Sequence, residues 1–140
     1  MGRRERRKEE MGKTLIGARV LSGSEEQEQM QVIAWARLMA RKDSALKMLF
    51  HIPNGGKRGK LEAIRFKKMG VLAGVPDLFL PAPRKGYAGL FIEMKVGGNR
   101  ITQQQAELIH GLSNQGYLCS VCYGADAAIK EISDYLGIRK

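Results

Sequence analysis

Two carboxylates and an ammonium stand at a spacing that could do chemistry. Asp77 follows Gly74, Val75 and Pro76, and fifteen residues separate it from Glu93, Met94 and Lys95. Asp77 opens one apolar run ending at Pro81, and Glu93 lies inside the next, from Leu90 to Val96. With both runs as strands joined by a hairpin, the two carboxylates lie side by side near the same end of a sheet. Alternation then puts Glu93 and Lys95 on one face and turns Met94 into the core. Burying such groups among Leu, Phe, Ile and Val is costly unless something pairs them. A divalent cation supplies that partner. Hard oxygen ligands suit Mg²⁺ or Mn²⁺, and two Cys and two His are too few for a zinc site. The same spacing also permits a plain ion pair, Glu93–Lys95 or Asp77–Lys95, on a solvated sheet face.

The elements that must position these groups follow from pattern and punctuation. Ser24 before Glu25, Glu26 and Glu28 reads as an N-cap with acids in the first turn, where the helix dipole favours them. Apolar residues at 30, 33, 34 and 38, widened by Val32, Trp35, Ala36 and Met39, predict a substantially buried helix over about 25–41. A strand is expected over 47–52, stopped by Pro53, Asn54, Gly55 and Gly56, and a short amphipathic helix with a cationic face over 60–69. Strands over 77–81 and 87–96 follow. Thr102 caps a helix running to Gln115, with Gly116 in the position favoured after a helix end. A strand over 117–123 and a helix over 126–136 complete the order α-β-(α)-β-β-α-β-α.

At 140 residues the chain fits one compact domain, with residues 1–23 as a flexible basic arm and 24–140 as the folded unit. The composition, 44% apolar and 27% charged, is that of an ordinary globular protein. Its apolar stretches fall short of the ~20 residues of a membrane span, and the basic start has no apolar signal region. Placement inside the cell, in a reducing compartment, is expected. The net charge of +10 points to a polyanionic partner. The surplus is concentrated: residues 51–70 hold Lys57, Arg58, Lys60, Arg65, Lys67 and Lys68 against Glu62 alone. Pro53 to Lys60 sets backbone N–H groups and cations together on a turn suited to phosphate. It is not a P-loop, because Leu61 stands where the Mg²⁺-binding Ser or Thr would be. A solvated charged loop is the plain alternative.

Other features are set aside. Cys119 and Cys122 form a C-x-x-C inside an expected strand, with no second pair, and read as buried thiols. His51 and His110 carry no ligand spacing; His51 is close enough to the site strands to approach it, but reads as a hydrogen-bonded structural residue. Trp35 reads as core.

Pro76-Asp77 with Glu93-Met94-Lys95 resembles the signature of the PD-(D/E)xK nuclease superfamily. Ile52 to Arg58, Gly70 to Leu80, Gly89 to Lys95 and Arg100 to Gln105 are similar to the stand-alone VRR-NUC proteins of phages and bacteria, a likeness extending from about Ser24 to Leu136. The resemblance implies an α/β, restriction-endonuclease-like mixed sheet flanked by helices. It further implies a Mg²⁺- or Mn²⁺-dependent DNA endonuclease with Asp77, Glu93 and the Met94 carbonyl as ligands. Lys95 would orient or activate the attacking water, Gln105 would support the site, and Glu25, at the family's Glu-x-x-x-Gln spacing with Gln29, would be the first-helix acid. Glu28 is its alternative one turn on. Asn54, Lys57, Arg58, Lys60, Arg65, Lys67 and Lys68 would contact DNA. Holliday-junction-like or branched DNA is the implied substrate, a homodimer the implied state, and the cytoplasm of a bacterium or of a phage's host the implied location. The rivals are a non-catalytic basic nucleic-acid-binding module and a sequence-specific restriction-type nuclease; a chain this short has little room for a separate sequence-reading domain.

Overall fold

The computed structural model of the chain describes residues 23–53 and 59–139. Nearly all of the expected arm, and Asn54, Lys57 and Arg58, lie outside the described residues.

Helix α1 (Glu25–Met39) begins on a reciprocal cap: Ser24 Oγ accepts from the Gln27 amide at 3.1 Å, and Gln27 Oε1 accepts from the Ser24 amide at 3.3 Å. The face it buries differs from the expected one. Val32, Ala36 and Ala40 enter the core in steps of one turn, with Ile33, Trp35 and Met39 packed against them, while Met30 and Leu38 are exposed. Small alanines there let α1 come close to the sheet and to the last helix.

The strand expected over 47–52 shrinks to β1 (Phe50–His51). Asp43 accepts from the Ala45 amide at 2.9 Å and starts a 3-10 turn over Ser44–Met48. Arg37 of α1 then donates to the carbonyls of Leu46, Lys47 and Leu49 at 2.9, 3.3 and 2.8 Å. Carbonyls held by a guanidinium are withdrawn from a strand ladder, and Leu46 and Leu49 are turned inward as core.

The remaining elements are α2 (Lys60–Lys68), β2 (Leu78–Leu80), β3 (Leu90–Lys95), α3 (Gln103–Asn114), β4 (Leu118–Tyr123) and α4 (Ala125–Leu136). Among the described residues the sheet has four strands in the order β1-β2-β3-β4. The first two pairings are antiparallel and β3–β4 is parallel, with α3 as the crossover. The expected mixed α/β sheet flanked by helices is therefore present. Strand β3 starts three residues later than expected, because Lys85 and Gly86, at φ 51° and 83°, make a tight turn between Arg84 and Tyr87.

The register sorts the sheet into two faces. Leu78 lies opposite Ile92, Leu80 opposite Leu90, and Met94 opposite Cys122. These side chains meet α1 and α4, and full burial of each large one contributes about 1.5–3 kcal/mol. Ser120 donates to Glu131 of α4 at 2.7 Å, and Tyr135 of α4 donates to the Ala82 carbonyl at 2.6 Å. The opposite face carries Phe79 stacked on Phe91 at 4.2 Å, then Glu93 and Lys95 farther along β3. Helix α3 covers this face incompletely, burying none of its own side chains fully. Among the described residues no helix is long and apolar enough to cross a membrane.

Candidate active site

Asp77 stands just before β2, and both neighbouring strands hold it. The Ile52 amide and His51 Nδ1 reach its carbonyl at 2.8 and 2.7 Å, and its own Oδ2 accepts from the Met94 amide at 2.8 Å. That last bond draws the carboxylate over to β3, where Glu93 projects from the same region of the sheet. Glu93 is only 3% exposed and Lys95 only 7%, so the sheet face here is not the solvated one an exposed ion pair requires. Lys95 Nζ lies 3.8 Å from Glu93 Oε1, an oxygen that also accepts from Gln105 Nε2 at 3.0 Å. Glu93 Oε2 is buried and receives no hydrogen bond from a donor among the described residues.

An acid in that position resists ionisation. Burial pushes the Glu93 carboxyl up to about 8, and the Asp77 carboxylate adds to this by its charge and by accepting the retained proton. Lys95 pulls in the other direction, and Glu25 adds a smaller upward push.

Gln105 reaches Glu93 because of how α3 starts. Thr102 Oγ1 accepts from the Gln105 amide at 3.1 Å, and Gln105 Oε1 accepts from the Thr102 amide at 2.9 Å, a second capping box. The side-chain oxygen is thereby committed to the helix end and the Nε2 donor is left for Glu93. Gly74 lets the loop before Asp77 lie against that same turn. Its φ is +90°, and a Cβ there would stand 2.7 Å from the backbone of Gln104. The sequence marks Gly74 as punctuation only; its place three residues before Asp77 is the signal that it belongs to the site.

These groups open on a cleft of about 1010 Å³ between the start of α1, the end of β1, residues 73–77 and the start of α3. Glu25, Gln29, His51, Asp77, Glu93 and Gln105 all line it. Between the two first-helix acids the geometry distinguishes clearly. Glu25 faces the cleft and accepts from Asn99 Nδ2 at 3.3 Å, whereas Glu28 is buried against Gly124, before α4. His51, read as structural, is hydrogen-bonded as expected but also borders the cleft. Sequence reasoning misses Asn99, since a lone Asn after two glycines carries no chemical pattern.

The expected DNA contacts divide. Lys60, Arg65, Lys67 and Lys68 lie on α2, which buries none of its side chains, while Asn54, Lys57 and Arg58 are outside the described residues. His110 is exposed on α3, hydrogen-bonded to Asn114. Cys119 and Cys122, three apart on β4, point to opposite faces of the sheet and are free thiols, with burial pushing Cys122 up to about 12.

No group of three or more His, Cys, Asp or Glu side chains set to hold a metal occurs among the described residues. Two acids do converge, and one of their oxygens is buried without a donor. A hard cation satisfies that oxygen and removes the repulsion between the carboxylates, so the donor set fits Mg²⁺ or Mn²⁺.

The likeness to known proteins is extensive. The family model for the VRR-NUC domain matches residues 17–126. A solved structure of a "VRR_NUC domain protein" is similar with a TM-score of 0.71 and 33% identity, covering 83% of this chain and 90% of that one. No curated protein matches the chain. With the family model spanning most of the chain and the acidic pair standing on a mixed sheet, the chain belongs to the VRR-NUC family, a nuclease domain of the PD-(D/E)xK type.

Proposed function

We propose that the protein is a divalent-metal-dependent DNA endonuclease that acts on branched, Holliday-junction-like DNA as a homodimer in the cytoplasm of a bacterium or of a phage's host. The observation that carries this reading is Glu93 Oε2, a buried carboxyl oxygen without a donor among the described residues, beside Asp77 in a wide cleft. A protein that only bound DNA would gain nothing from two acids there, since they repel the phosphates.

Asp77, Glu93 and the Met94 carbonyl would hold Mg²⁺ or Mn²⁺, which when bound acidifies a water and neutralises charge on the scissile phosphate. Lys95, kept beside Glu93 in a water-poor pocket, would orient the attacking water and stabilise the charge that gathers on the phosphate oxygens. Gln105 holds Glu93 in place by its amide donor. Glu25 would extend the acidic set at the mouth of the cleft, with Asn99 fixing its carboxylate. Asn54, Lys57, Arg58, Lys60, Arg65, Lys67 and Lys68 would take backbone phosphates, contacts that read shape rather than sequence. One such site cuts one strand, so two symmetric cuts call for two protomers.

The test is cleavage of a four-way junction, a flap and a linear duplex with Mg²⁺ or Mn²⁺. Wild-type protein cuts the branched forms in preference, whereas Asp77→Asn and Lys95→Ala lose cleavage by at least about 100-fold, the scale of a lost electrostatic stabiliser, and still bind DNA. If wild-type protein cuts none of the three, the non-catalytic binder is restored; cutting of linear duplex at one sequence favours the restriction-type reading.

A further inference from the structure

Helix α2 carries apolar surface that the rest of the described residues leave uncovered. Leu61 is 86% exposed and Ile64 53%, none of the helix's side chains is buried, and Met69 and Leu72 just beyond it are open too. At about 100° per residue, Ile64, Lys68, Leu61, Arg65 and Met69 follow one another around one side, so each apolar group there has a cation beside it. Half-buried Phe66 faces away from that side.

This interleaving selects the occupant. A dry protein surface covering Leu61 and Ile64 would strip water from Lys68 and Arg65 as well. A second copy would set the same cations against each other, and Glu62 is the helix's lone acid. DNA with an opened base step satisfies both kinds of group: phosphates take the cations, and apolar side chains enter between bases. Position agrees, because the chain runs from α2 through Met69 and Leu72 into Ala73, Gly74 and Val75, which line the cleft holding Asp77 and Glu93.

We propose that α2 is a wedge: Leu61 and Ile64 enter the opened base step at a branch while Arg65 and Lys68 hold the phosphates on either side. The wedge rests on the reading of the protein as a DNA nuclease and adds how a branch is told from a continuous duplex. A step inside a continuous duplex is stacked on both sides and resists opening, whereas a step at a branch unstacks at lower cost.

The experiment uses a four-way junction with 2-aminopurine at the branch, bound by the full chain in EDTA. Wild-type protein raises the fluorescence as the base unstacks. The double variant Leu61→Gln/Ile64→Gln loses that rise, and its preference for junction over linear duplex falls roughly tenfold, the scale expected when one unstacked step is no longer filled. Leu61→Met keeps both. A double variant that keeps the full rise overturns the wedge. So does one that changes from dimer to monomer in sedimentation while keeping the fluorescence response, since a second copy is then the occupant. The signal needs no cleavage, so the two readings fail separately. A wild-type protein that unstacks the branch and never cuts removes the nuclease and keeps the wedge, and one that cuts without unstacking does the reverse.

Discussion

Replacing Glu93 by Gln should make the metal-free protein more stable at alkaline pH and leave it unchanged at acid pH. An unfolded chain releases this proton near 4.5, whereas the native site retains it up to about 8, chiefly because the carboxyl is buried and secondly because Asp77 stands beside it. Between those values the native state binds more protons than the unfolded one, so this group makes stability fall as pH rises. The loss is at most about 1.4 kcal/mol per pH unit and a few kcal/mol across the window. The glutamine of the Glu93→Gln variant cannot ionise, yet its amide can still donate toward Asp77 as the protonated acid does. Urea unfolding of both proteins in EDTA from pH 4 to pH 9 measures the difference directly, since every other titrating group is common to the two. The variant should match wild type near pH 4, gain steadily through neutrality and level off above pH 8. A constant offset across the range would refute the reasoning, because it would mean that Glu93 ionises in the native protein as easily as in the unfolded chain.

Three further outcomes are expected, the last of them from the charge of the sequence over residues 57–60. Gly74→Ala should cost about 1–3 kcal/mol through its left-handed backbone and its closeness to Gln104, and more than Gly70→Ala, whose φ is +99° but whose Cβ meets nothing within 4 Å; urea midpoints compare the two. Mn²⁺ at a hundred times its Kd should add about 2.7 kcal/mol to wild-type stability and little to Asp77→Asn, a contrast read from thermal melting. Exchanging Lys57, Arg58 and Lys60 for Gln should flatten the dependence of log K on log salt by up to about 0.9 for each phosphate no longer neutralised, measured by fluorescence anisotropy; an unchanged slope would remove this surface from the DNA-binding face.

Order and type of the elements were legible in the sequence because each is bounded by local chemistry. Ser24 and Thr102 cap their helices, Gly116 ends one, and the run Leu90 to Lys95 alternates as a strand must. Asp77, Glu93 and Lys95 were legible for a similar reason: period two, applied to one short strand, separates Glu93 and Lys95 from Met94. What the sequence concealed depends on distant partners. The buried face of α1 differs from the expected one because periodicity does not distinguish Val32 and Ala36 from Met30 and Leu38 when all are apolar; the close packing on the sheet and α4 decides it. The strand over 47–52 is cut short by Arg37, ten residues upstream, whose guanidinium takes the carbonyls a strand would have used. Which of Glu25 and Glu28 faces the cleft is undetermined by spacing, and rests on the seat that Gly124 offers to Glu28.

The shared duty of Gln105 bears on how a decayed member of this family would look. Its oxygen closes the start of α3 while its nitrogen secures Glu93, so helix and site cannot drift apart independently. A Glu at position 105 would serve the capping box equally well, but it would set a further acid against buried Glu93 in place of a donor. Such a chain would keep every strand, every cap and the whole Asp77, Glu93 and Lys95 set. On the proposed reading, the amide at 105 would therefore mark a working copy more sharply than the acids that draw the eye first.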